Sequence, residues 1–437
     1  DCTGCGSCAN VCPGKKGEKA LVMGNMEANA GKAGFSSNYG TELPIKPEVV
    51  AKFQRDNRKG SQFKQPLLEF SGACAGCGET PYAKLITQLF GDRMYIANAT
   101  GCSSIWGNSS PSTPYTVNPQ GRGPAWSNSL FEDNAEFGYG MLLAQNTIRE
   151  RLKASVEKLA ENGVNDDVKA AAQEYLDTFS VGATNGTATD KLVKALEDCD
   201  CGCAERAELL KNKDFLAKKS QWIFGGDGWA YDIGFGGVDH VLASGQDINI
   251  MVFDTEVYSN TGGQSSKATK TGATAQFAAG GKETKKKDLA GIAMSYGYVY
   301  VAQIAMGADF NQTVKAIAEA EAYPGPSLII AYAPCINHGI KKGMSKAQTE
   351  EQLAVECGYW NNFRFNPEAE KKFTLDSKEP KGDYQEFLNG EVRYNALMRA
   401  NPEKAQRLFA QNEAEAMERY EYLKGLVNLY DGTAKED

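Results

Sequence analysis

The sequence predicts an α/β protein with a doubly wound, mostly parallel sheet. Between residues 71 and 344, short apolar runs rich in β-branched residues alternate with stretches of helical periodicity. Such an alternation is typical of parallel sheets that carry helices on both faces. Two further stretches, about residues 148–216 and residues 345–437, are rich in polar helix-forming residues and lack the alternation. We therefore expect a helical insertion in the sheet domain and a helical extension after it.

Particular strands and helices follow from the alternation. Apolar runs of strand length occupy residues 95–97, 221–224, 248–253, 299–304 and 327–331. Helical patterns occupy residues 233–244, 287–296 and 311–322. Residues 31–70 indicate a linker with one helix near residues 47–56, and the best helices of the extension are residues 391–400 and 402–427.

Composition excludes several classes of protein. The 437 residues include 47 basic and 55 acidic side chains, a net charge of −8, and 42% are hydrophobic. This balance is ordinary for a folded domain and argues against a disordered, collagen-like or coiled-coil architecture. The negative charge argues against a nucleic-acid groove. No apolar stretch reaches the ~18 residues of a membrane helix and no signal peptide is visible, so we expect a cytoplasmic protein.

Twelve cysteines and only two histidines direct attention to metal chemistry. With so few histidines, a Ser-His, Cys-His or His-rich zinc site is not expected. The cysteines are too sparse for a disulfide-stapled domain, and most of them stand in groups. Such grouping is typical of metal ligands.

The first group of cysteines has the spacing of a bacterial ferredoxin. Cys2, Cys5, Cys8 and Cys12, with Pro13 after them, match C-x2-C-x2-C-x3-C-P. Thiolates are the usual ligands of iron in such runs, and a zinc site or a coincidental loop is the alternative. In two-cluster ferredoxins the fourth cysteine binds the other cluster. A second run would have to supply the remaining ligands, and the sequence contains none.

Residues 1–30 are therefore expected to be the C-terminal half of a ferredoxin-like α+β domain with two [4Fe–4S] clusters. The linker of residues 31–70 and the sheet domain of residues 71–344 follow. On this interpretation the chain is part of a longer protein.

The second group of candidate residues follows two predicted strands. Gly226, Asp227 and Gly228 come directly after one strand, and Thr255 and Val257 come directly after the next. The combination resembles the thiamine diphosphate motif. Asp227, Thr255 and the Val257 carbonyl would bind Mg²⁺, which prefers oxygen ligands, and the glycines would let the backbone approach a diphosphate. An ordinary strand–turn–helix connection is the alternative.

The third group identifies a family. Cys74-Ala-Gly-Cys77, Gly-Cys102-Ser-Ser-Ile and Pro-Cys335-Ile-Asn-His338 are widely separated in the chain. With the other motifs, they resemble the C-terminal part of pyruvate:ferredoxin (flavodoxin) oxidoreductases. This resemblance implies that the four cysteines bind the [4Fe–4S] cluster nearest to thiamine, and that His338 is a loop residue. Spacing alone singles out only Cys74 and Cys77, for which zinc is the alternative.

Further site residues come from the same resemblance. It implies a thiamine diphosphate-binding fold for the sheet domain, with Ser103, Ser104 and Ile105 in the thiamine pocket. For the two serines, loop hydrogen bonding is an equally weighted alternative. Asn260 would lie near the reacting carbons and position the substrate.

The resemblance also implies an activity and partners. The full enzyme would convert pyruvate and coenzyme A to acetyl-CoA and CO₂ through thiamine diphosphate, and pass electrons through [4Fe–4S] clusters to ferredoxin or flavodoxin. A homodimer of the full enzyme is expected. The pyrimidine-binding domain with its activating glutamate, and the coenzyme A domain, would lie in an N-terminal remainder. We therefore expect this chain alone to be inactive.

Two other functions stay open at this point. One is an electron-transfer module with a vestigial thiamine site, and the other is an oxidoreductase for a different 2-oxoacid. Cys199, Cys201 and Cys203 form an unusual C-x-C-x-C, for which solvent-facing thiols are favoured over a metal site. Cys357 stands alone and is expected to be a small buried residue.

A run of basic residues is the last feature that the sequence singles out. It comprises Lys282, Lys285, Lys286 and Lys287. We expect a solvated face, with the docking of an acidic partner or of cofactor phosphates as the alternative.

Overall fold

A computed structural model of the chain describes residues 3–15, 17–54, 57–108, 113–162 and 165–430. The strands are β1 (Met94–Ala99), β2 (Ala125–Ser129), β3 (Ser220–Gly226), β4 (Asn249–Asp254), β5 (Val257–Tyr258), β6 (Gln264–Ser265), β7 (Tyr300–Ile304), β8 (Ser327–Tyr332), β9 (Phe363–Phe365) and β10 (Phe373–Leu375). The helices are α1 (Ser7–Val11), α2 (Met26–Glu42), α3 (Pro47–Val50), α4 (Arg58–Ser61), α5 (Thr80–Phe90), α6 (Cys102–Asn108), α7 (Asn134–Asn162), α8 (Asp166–Asp177), α9 (Gly182–Glu197), α10 (Ala204–Lys211), α11 (Phe235–Ala243), α12 (Leu289–Met294), α13 (Phe310–Ala322), α14 (Ala347–Glu356), α15 (Tyr384–Asn389), α16 (Val392–Ala400) and α17 (Pro402–Tyr430).

One mixed sheet of eight strands organises the protein. Its order is β10-β9-β7-β8-β4-β3-β1-β2. All neighbours from β7 to β2 pair in parallel, whereas β9 and β10 pair antiparallel at one edge. The predicted fold class is therefore confirmed. The five predicted strands correspond to β1, β3, β4, β7 and β8, and the three predicted helices to α11, α12 and α13.

Both faces of the sheet are covered by helices, which explains the apolar strand runs. On β3, Ile223 packs into the core beneath α7 and α11, whereas Trp222 and Phe224 pack into the core beneath α5 and α13. All three side chains are fully buried. Strands buried on both faces lack polar alternation and form continuous apolar runs, the pattern from which they were predicted.

The structure corrects three expectations about the elements. The helical extension also contains strands, since β9 pairs with β7 and lengthens the sheet. The helical insertion begins earlier than expected, because α7 starts at Asn134 and packs on β1 and β3. The segment before the sheet domain holds α2 and α4 besides α3, and Asn25 caps α2 by accepting a hydrogen bond from the backbone of Ala28.

The edge strand β2 was also missed, because its sequence Ala-Trp-Ser-Asn-Ser has no apolar run. Helices α8, α9 and α10 share a separate core with the C-terminal half of α7, formed around Val156, Tyr175 and Leu192. Across the described part of the chain, none of the helices combines the length and the apolar character needed to span a bilayer.

Candidate cofactor site

The glycine-rich motif lies where two neighbouring parallel strands end. Strand β3 ends at Gly226 and β4 ends at Asp254, and Gly226 is paired in register with Phe253. The residues that follow the two strands are therefore brought to the same edge of the sheet. This is the edge at which ligands bind in open parallel sheets.

Three oxygen atoms, from Asp227, Thr255 and Val257, lie close together at this edge. The Thr255 hydroxyl oxygen lies 2.9 Å from Oδ1 of Asp227 and 3.0 Å from the Val257 carbonyl oxygen. Adjacent ligands of an octahedral Mg²⁺ ion with bonds of 2.0–2.1 Å are separated by about 2.9 Å. Both distances match that spacing, so the oxygens of the residues that were predicted to bind Mg²⁺ fit such an ion at these two edges.

The electrostatics of this edge also suit a cation. Asp227 and Asp254 are fully buried near each other, and burial followed by the charge of Asp254 raises the pKa of Asp227 to about 8. Lys286 lies 2.7 Å from Asp254, whereas Asp227 is held by hydrogen bonds from the side chains of Thr255 and Ser266. A divalent cation would neutralise the charge that Asp227 can place there.

A cavity of about 430 Å³ opens next to these oxygens. Gly226, Gly228, Val257, Ser103 and Asn260 are among the residues that line it. A Cβ on Gly226 would have its nearest neighbour, the Phe253 carbonyl oxygen, at 3.9 Å, which is ordinary van der Waals contact. At Gly228, by contrast, a Cβ would lie 2.5 Å from the ring of Tyr258, so this glycine is required by close packing.

Cys74, Cys77, Cys102 and Cys335 line a second cavity, of about 110 Å³. The backbone of Gly78 donates a hydrogen bond of 3.0 Å to Pro334, and a Cβ on Gly78 would lie 2.5 Å from the Pro334 nitrogen. This close approach of two loops brings Cys77 and Cys335 together, although 258 positions separate them, and the pairing of β8 with β4 puts Pro334 at the same sheet edge.

The four cysteines of this cavity differ in their surroundings. Among the described residues, no three His, Cys, Asp or Glu side chains lie close enough together to hold a single ion. Burial, followed by the charge of Glu79, raises the pKa of Cys77 and Cys102, and burial raises that of Cys335 to about 11. Four thiols around one cavity, with Cys74 exposed and the other three half-buried, match the ligand number of a [4Fe–4S] cluster.

The two cavities adjoin. Glu79, Cys102, Ser259 and Asn260 line both of them. The hydroxyl of Ser259 lies 3.1 Å from the sulfur of Cys102. Glu79 is almost fully buried, accepts a hydrogen bond of 2.6 Å from Trp106, and has its pKa raised to about 7 by burial. Sequence reasoning missed Glu79 and Ser259, because only packing reveals that they separate the cavities.

The residues around Cys102 divide between the two cavities and the loop. Ser103 lines the larger cavity and Ile105 the smaller one. Ser104 lines neither among the described contacts, and its hydroxyl bonds the backbone of Gly101 at both the amide and the carbonyl. For Ser104, the loop hydrogen bonding that was considered as the alternative is what the geometry contains.

The ferredoxin-like run lies beside the loop of Cys74 and Cys77. Although burial raises the pKa of Cys5, hydrogen bonds from Ser7 and from the backbone of Gly76 lower it below its ordinary value. Helix α1 contacts α14, where the side chain of Asn10 donates a hydrogen bond of 3.1 Å to Thr349. Cys8 is exposed and Cys5 and Cys12 are half-buried. Cys2 lies outside the described residues.

A buried charge network lies behind the oxygens of Asp227, Thr255 and Val257. Glu256 is fully buried between Thr255 and Val257 and has a left-handed φ of 58°. It pairs with Lys286 at 3.2 Å and with Arg393 at 2.8 Å, and Arg393 belongs to the C-terminal extension. The extension therefore holds the loop that carries two of the three oxygens.

His338 supports the same loop from another side. Its ring is fully buried, and Nε2 donates a hydrogen bond of 2.7 Å to the Thr255 carbonyl. Burial, followed by the charge of Arg393, lowers the pKa of His338 to about 3, which leaves the ring neutral. His338 lies in a short 3-10 turn after β8, in agreement with a loop residue.

The expectation of a solvated basic face is wrong for three of the four lysines. Lys286 is half-buried and pairs with Asp254 and Glu256. Lys282 donates to the Ser266 and Thr269 carbonyls, and Lys287 donates to the Tyr231 carbonyl. Of the run, Lys285 is exposed, and it pairs with Glu418 at 2.6 Å. These lysines hold loops and carboxylates of their own chain.

Two expectations about the remaining cysteines have different outcomes. Cys357 is 2% exposed, which confirms a small buried residue. Cys199 is 3% exposed, so the prediction of a solvent-facing thiol is wrong for it, whereas Cys201 and Cys203 are half-buried. Cys199 packs in the core of the helical insertion.

Known proteins match this chain over almost its whole length. A "Pyruvate:ferredoxin oxidoreductase" of Moorella thermoacetica is 57% identical over 437 residues, which cover 98% of this chain and 37% of that protein. The resemblance is confirmed. A "Pyruvate-flavodoxin oxidoreductase" of Enterobacter agglomerans is 56% identical, with 98% of this chain and 37% of that protein covered.

Two further comparisons complete this finding. The family described as "Thiamine pyrophosphate enzyme, C-terminal TPP binding domain" matches residues 207–331, which contain β3, β4 and the motif between them. A solved structure of 2-oxoglutarate:ferredoxin oxidoreductase from Magnetococcus marinus aligns with 63% of this chain and with 68% of the solved chain. The TM-score is 0.37 and the sequence identity 14%, a likeness too low to support a conclusion. The chain spans 37% of the length of the pyruvate oxidoreductases that it matches.

Proposed function

We propose that this chain is the thiamine diphosphate-binding and electron-outlet part of a pyruvate:ferredoxin (flavodoxin) oxidoreductase. The full enzyme would convert pyruvate and coenzyme A to acetyl-CoA and CO₂ and pass the electrons through [4Fe–4S] clusters to ferredoxin or flavodoxin. The observation that carries this proposal is the shared wall between the two cavities. One cavity adjoins the oxygen triad of Asp227, Thr255 and Val257, and the other is lined by four cysteines.

The larger cavity suits thiamine diphosphate, with Mg²⁺ held by the oxygen triad. Gly226 and Gly228 would bring the backbone close to the diphosphate. Asn260 would orient the 2-oxoacid from the wall next to Cys102, and Ser103 would line the ring. Ile105, which the resemblance placed in the thiamine pocket, lines the cysteine cavity instead. When bound, thiamine supplies the electron sink that a 2-oxoacid needs for decarboxylation.

The smaller cavity suits a [4Fe–4S] cluster held by Cys74, Cys77, Cys102 and Cys335. The common lining residues leave little material between this cluster and the thiamine pocket. The backbone of Gly76, which lowers the pKa of Cys5, would bring this cluster next to the ferredoxin-like clusters. Cys2, Cys5, Cys8 and Cys12 would supply ligands to those clusters. Electrons would leave along this route.

The remaining partners belong to the rest of the protein. Because the chain spans 37% of its relatives, we propose that the other part supplies the pyrimidine-binding domain, the activating glutamate and the coenzyme A domain. Apolar side chains between Val11 and Ile45 are exposed, among them Val22 at 77% and Met26 at 79%. Such side chains suit contacts with the other half of the ferredoxin-like domain. A homodimeric, cytoplasmic enzyme with segments 1–30, 31–70, 71–344 and 345–437 completes the proposal.

Cofactor quantitation and single substitutions test the proposal. In the full enzyme, Cys335→Ala should lower the iron content while thiamine diphosphate binding, read from tryptophan fluorescence because Trp229 lines the cavity, persists. Asp227→Asn should have the opposite effect, with iron retained and cofactor binding weakened. Lys285→Met, which removes an exposed pair, should change neither. Iron that persists in every cysteine variant would contradict the cluster assignment.

Activity measurements separate the candidate functions. The 437-residue chain alone should not oxidise pyruvate with methyl viologen as the electron acceptor, and the full enzyme should. Full activity of the chain alone would refute the division of labour proposed above. Iron without bound thiamine in the full enzyme would favour an electron-transfer module, and faster turnover of another 2-oxoacid would change the substrate.

A further inference from the structure

Three cysteines lie in the turn between α9 and α10, in a part of the protein that lines neither cofactor cavity. Cys199 is buried in the core of the helical insertion, and its sulfur accepts a hydrogen bond of 3.4 Å from the backbone of Cys201. Cys201 and Cys203 are half-buried, and their sulfur atoms are 2.8 Å apart. This is closer than two unbonded sulfur atoms normally approach, and longer than the 2.03–2.05 Å of a disulfide bond.

We propose that Cys201 and Cys203 are a reversible dithiol–disulfide site, a redox function separate from the iron–sulfur route. The inference does not depend on the proposed function of the cofactor site. It makes this turn a site of covalent modification by hydroperoxides.

The backbone of the turn can accommodate the bond. Residues 199–203 lie between the two helices, where Cys203 directly precedes α10 and its carbonyl accepts a hydrogen bond of 3.4 Å from the backbone of Ala207. Gly202 stands between the two cysteines, and a Cβ at this position would meet nothing within 4 Å. The turn is also held from outside, because Arg206 donates a hydrogen bond of 2.6 Å to the carbonyl of Leu196 and so fastens α10 to the end of α9. The fastened helix ends keep the two sulfurs in contact.

Accessibility distinguishes the pair from its neighbour. An oxidant in solution can reach the half-buried sulfurs of Cys201 and Cys203, whereas Cys199 is 3% exposed. A metal ion is the competing ligand for three cysteines. However, no three ligating side chains in the described part of the chain lie close enough together to hold one ion. The geometry therefore favours a bond between two sulfurs over a site for three.

The chemistry balances with a hydroperoxide as the oxidant. One thiol of the pair attacks an oxygen of hydrogen peroxide, which breaks the O–O bond, releases water and leaves a sulfenic acid. The second thiol then attacks the sulfenic sulfur, forms the S–S bond and releases a second water. The two thiols lose two electrons and two protons in total, and the peroxide is reduced to two waters. A dithiol reductant reverses the reaction by exchange.

Peptide mapping of the full chain tests the proposal. The chain is purified without oxygen, treated with one equivalent of hydrogen peroxide, alkylated with iodoacetamide in denaturant and digested for mass spectrometry. We expect the peptide with Cys201 and Cys203 to lose two hydrogens and to carry no alkyl group on either residue. Dithiothreitol should restore alkylation of both.

Matched variants distinguish the pair from the third cysteine. Cys199→Ser should still form the bond, whereas Cys203→Ser should stop at a sulfenic acid on Cys201 that dimedone traps. The wild-type result does not depend on how the variants fold. The proposal is overturned if both residues remain fully alkylated after peroxide, if the bond involves Cys199, or if added Zn²⁺ protects all three thiols together.

Discussion

Arg393→Met should destabilise the protein and weaken its binding of Mg²⁺ and thiamine diphosphate. The Arg393 side chain is 2% exposed and joins the C-terminal extension to the loop of Thr255, Glu256 and Val257. Its guanidinium group pairs with Glu256 at 2.8 Å. It also donates a hydrogen bond of 2.6 Å to Glu391 and one of 3.1 Å to the hydroxyl of Tyr359. Methionine keeps the aliphatic packing and removes the charge and all three contacts.

The size of the expected loss of stability depends on which carboxylate loses its positively charged partner. Removing one member of a buried ion pair costs about 3–5 kcal/mol, because an uncompensated charge stays buried. Glu256 keeps Lys286 and Tyr359, whereas Glu391 loses the donor to its Oε2 atom. Burial raises the pKa of Glu391 to about 7, so near neutral pH it can take up a proton at little cost. We therefore expect a loss of about 3 kcal/mol near neutral pH, the lower end of that range, and a larger loss at higher pH.

Denaturant unfolding of the full chain, followed by circular dichroism, measures this loss. Arg419→Met is the matched control, since it removes an arginine that pairs with Asp288 at a site where the aspartate side chain is 43% exposed. An exposed pair is worth about 0–1 kcal/mol. The reasoning is refuted if Arg393→Met destabilises the chain no more than Arg419→Met. If stability falls while cofactor affinity is unchanged, the extension does not position the loop.

Three further predictions concern the cofactor loop, a buried carboxyl and the insertion. Gly228→Ala should sharply weaken thiamine diphosphate binding, because its Cβ would lie 2.5 Å from the Tyr258 ring. In α11, Gly236→Ala is the control: a Cβ there meets nothing within 4 Å, so the affinity for thiamine diphosphate measured by titration should stay unchanged. Burial raises the pKa of Glu351 to about 8 from an ordinary 4.5, so the folded state keeps a proton that the unfolded state releases, and stability falls as pH rises from 4.5 through 8. Glu351→Gln should remove this fall, and melting curves at several pH values that run parallel for both proteins would contradict it. Leu192→Ala, at a fully buried position of the insertion core, should lower the free energy of unfolding in denaturant by about 2–5 kcal/mol. A change in cofactor affinity as large as that of Gly228→Ala would show that the insertion core is not separate from the cofactor site.

Local signals in the sequence predicted much of the sheet. The strands β3, β4 and β8 are buried on both faces, so their apolar runs are unbroken. The polar edge strand β2 and the short strands β9 and β10 have no such run and were missed. Their pairing partners, and not their own sequences, make them strands.

The candidate site divides in the same way. Asp227 and Thr255 could be predicted because each directly follows a buried strand, and neighbouring parallel strands end at one edge. Glu79 and Ser259 could not, because their importance lies in separating two cavities. Lys286 was expected on a solvated face, since a run of lysines contains no information about the carboxylates that fold against it.

The sequence by itself determined the parallel sheet, the ferredoxin-like run and the cysteine and glycine motifs, because periodicity and spacing are local properties of a chain. Only the tertiary structure decided that Cys77 and Cys335 line one cavity, that Arg393 holds the loop of Glu256, and that Cys201 and Cys203 touch while Cys199 is buried. Contacts between distant residues depend on how the sheet and its helices pack. A buried charge finds its partner only when that packing removes water from both groups.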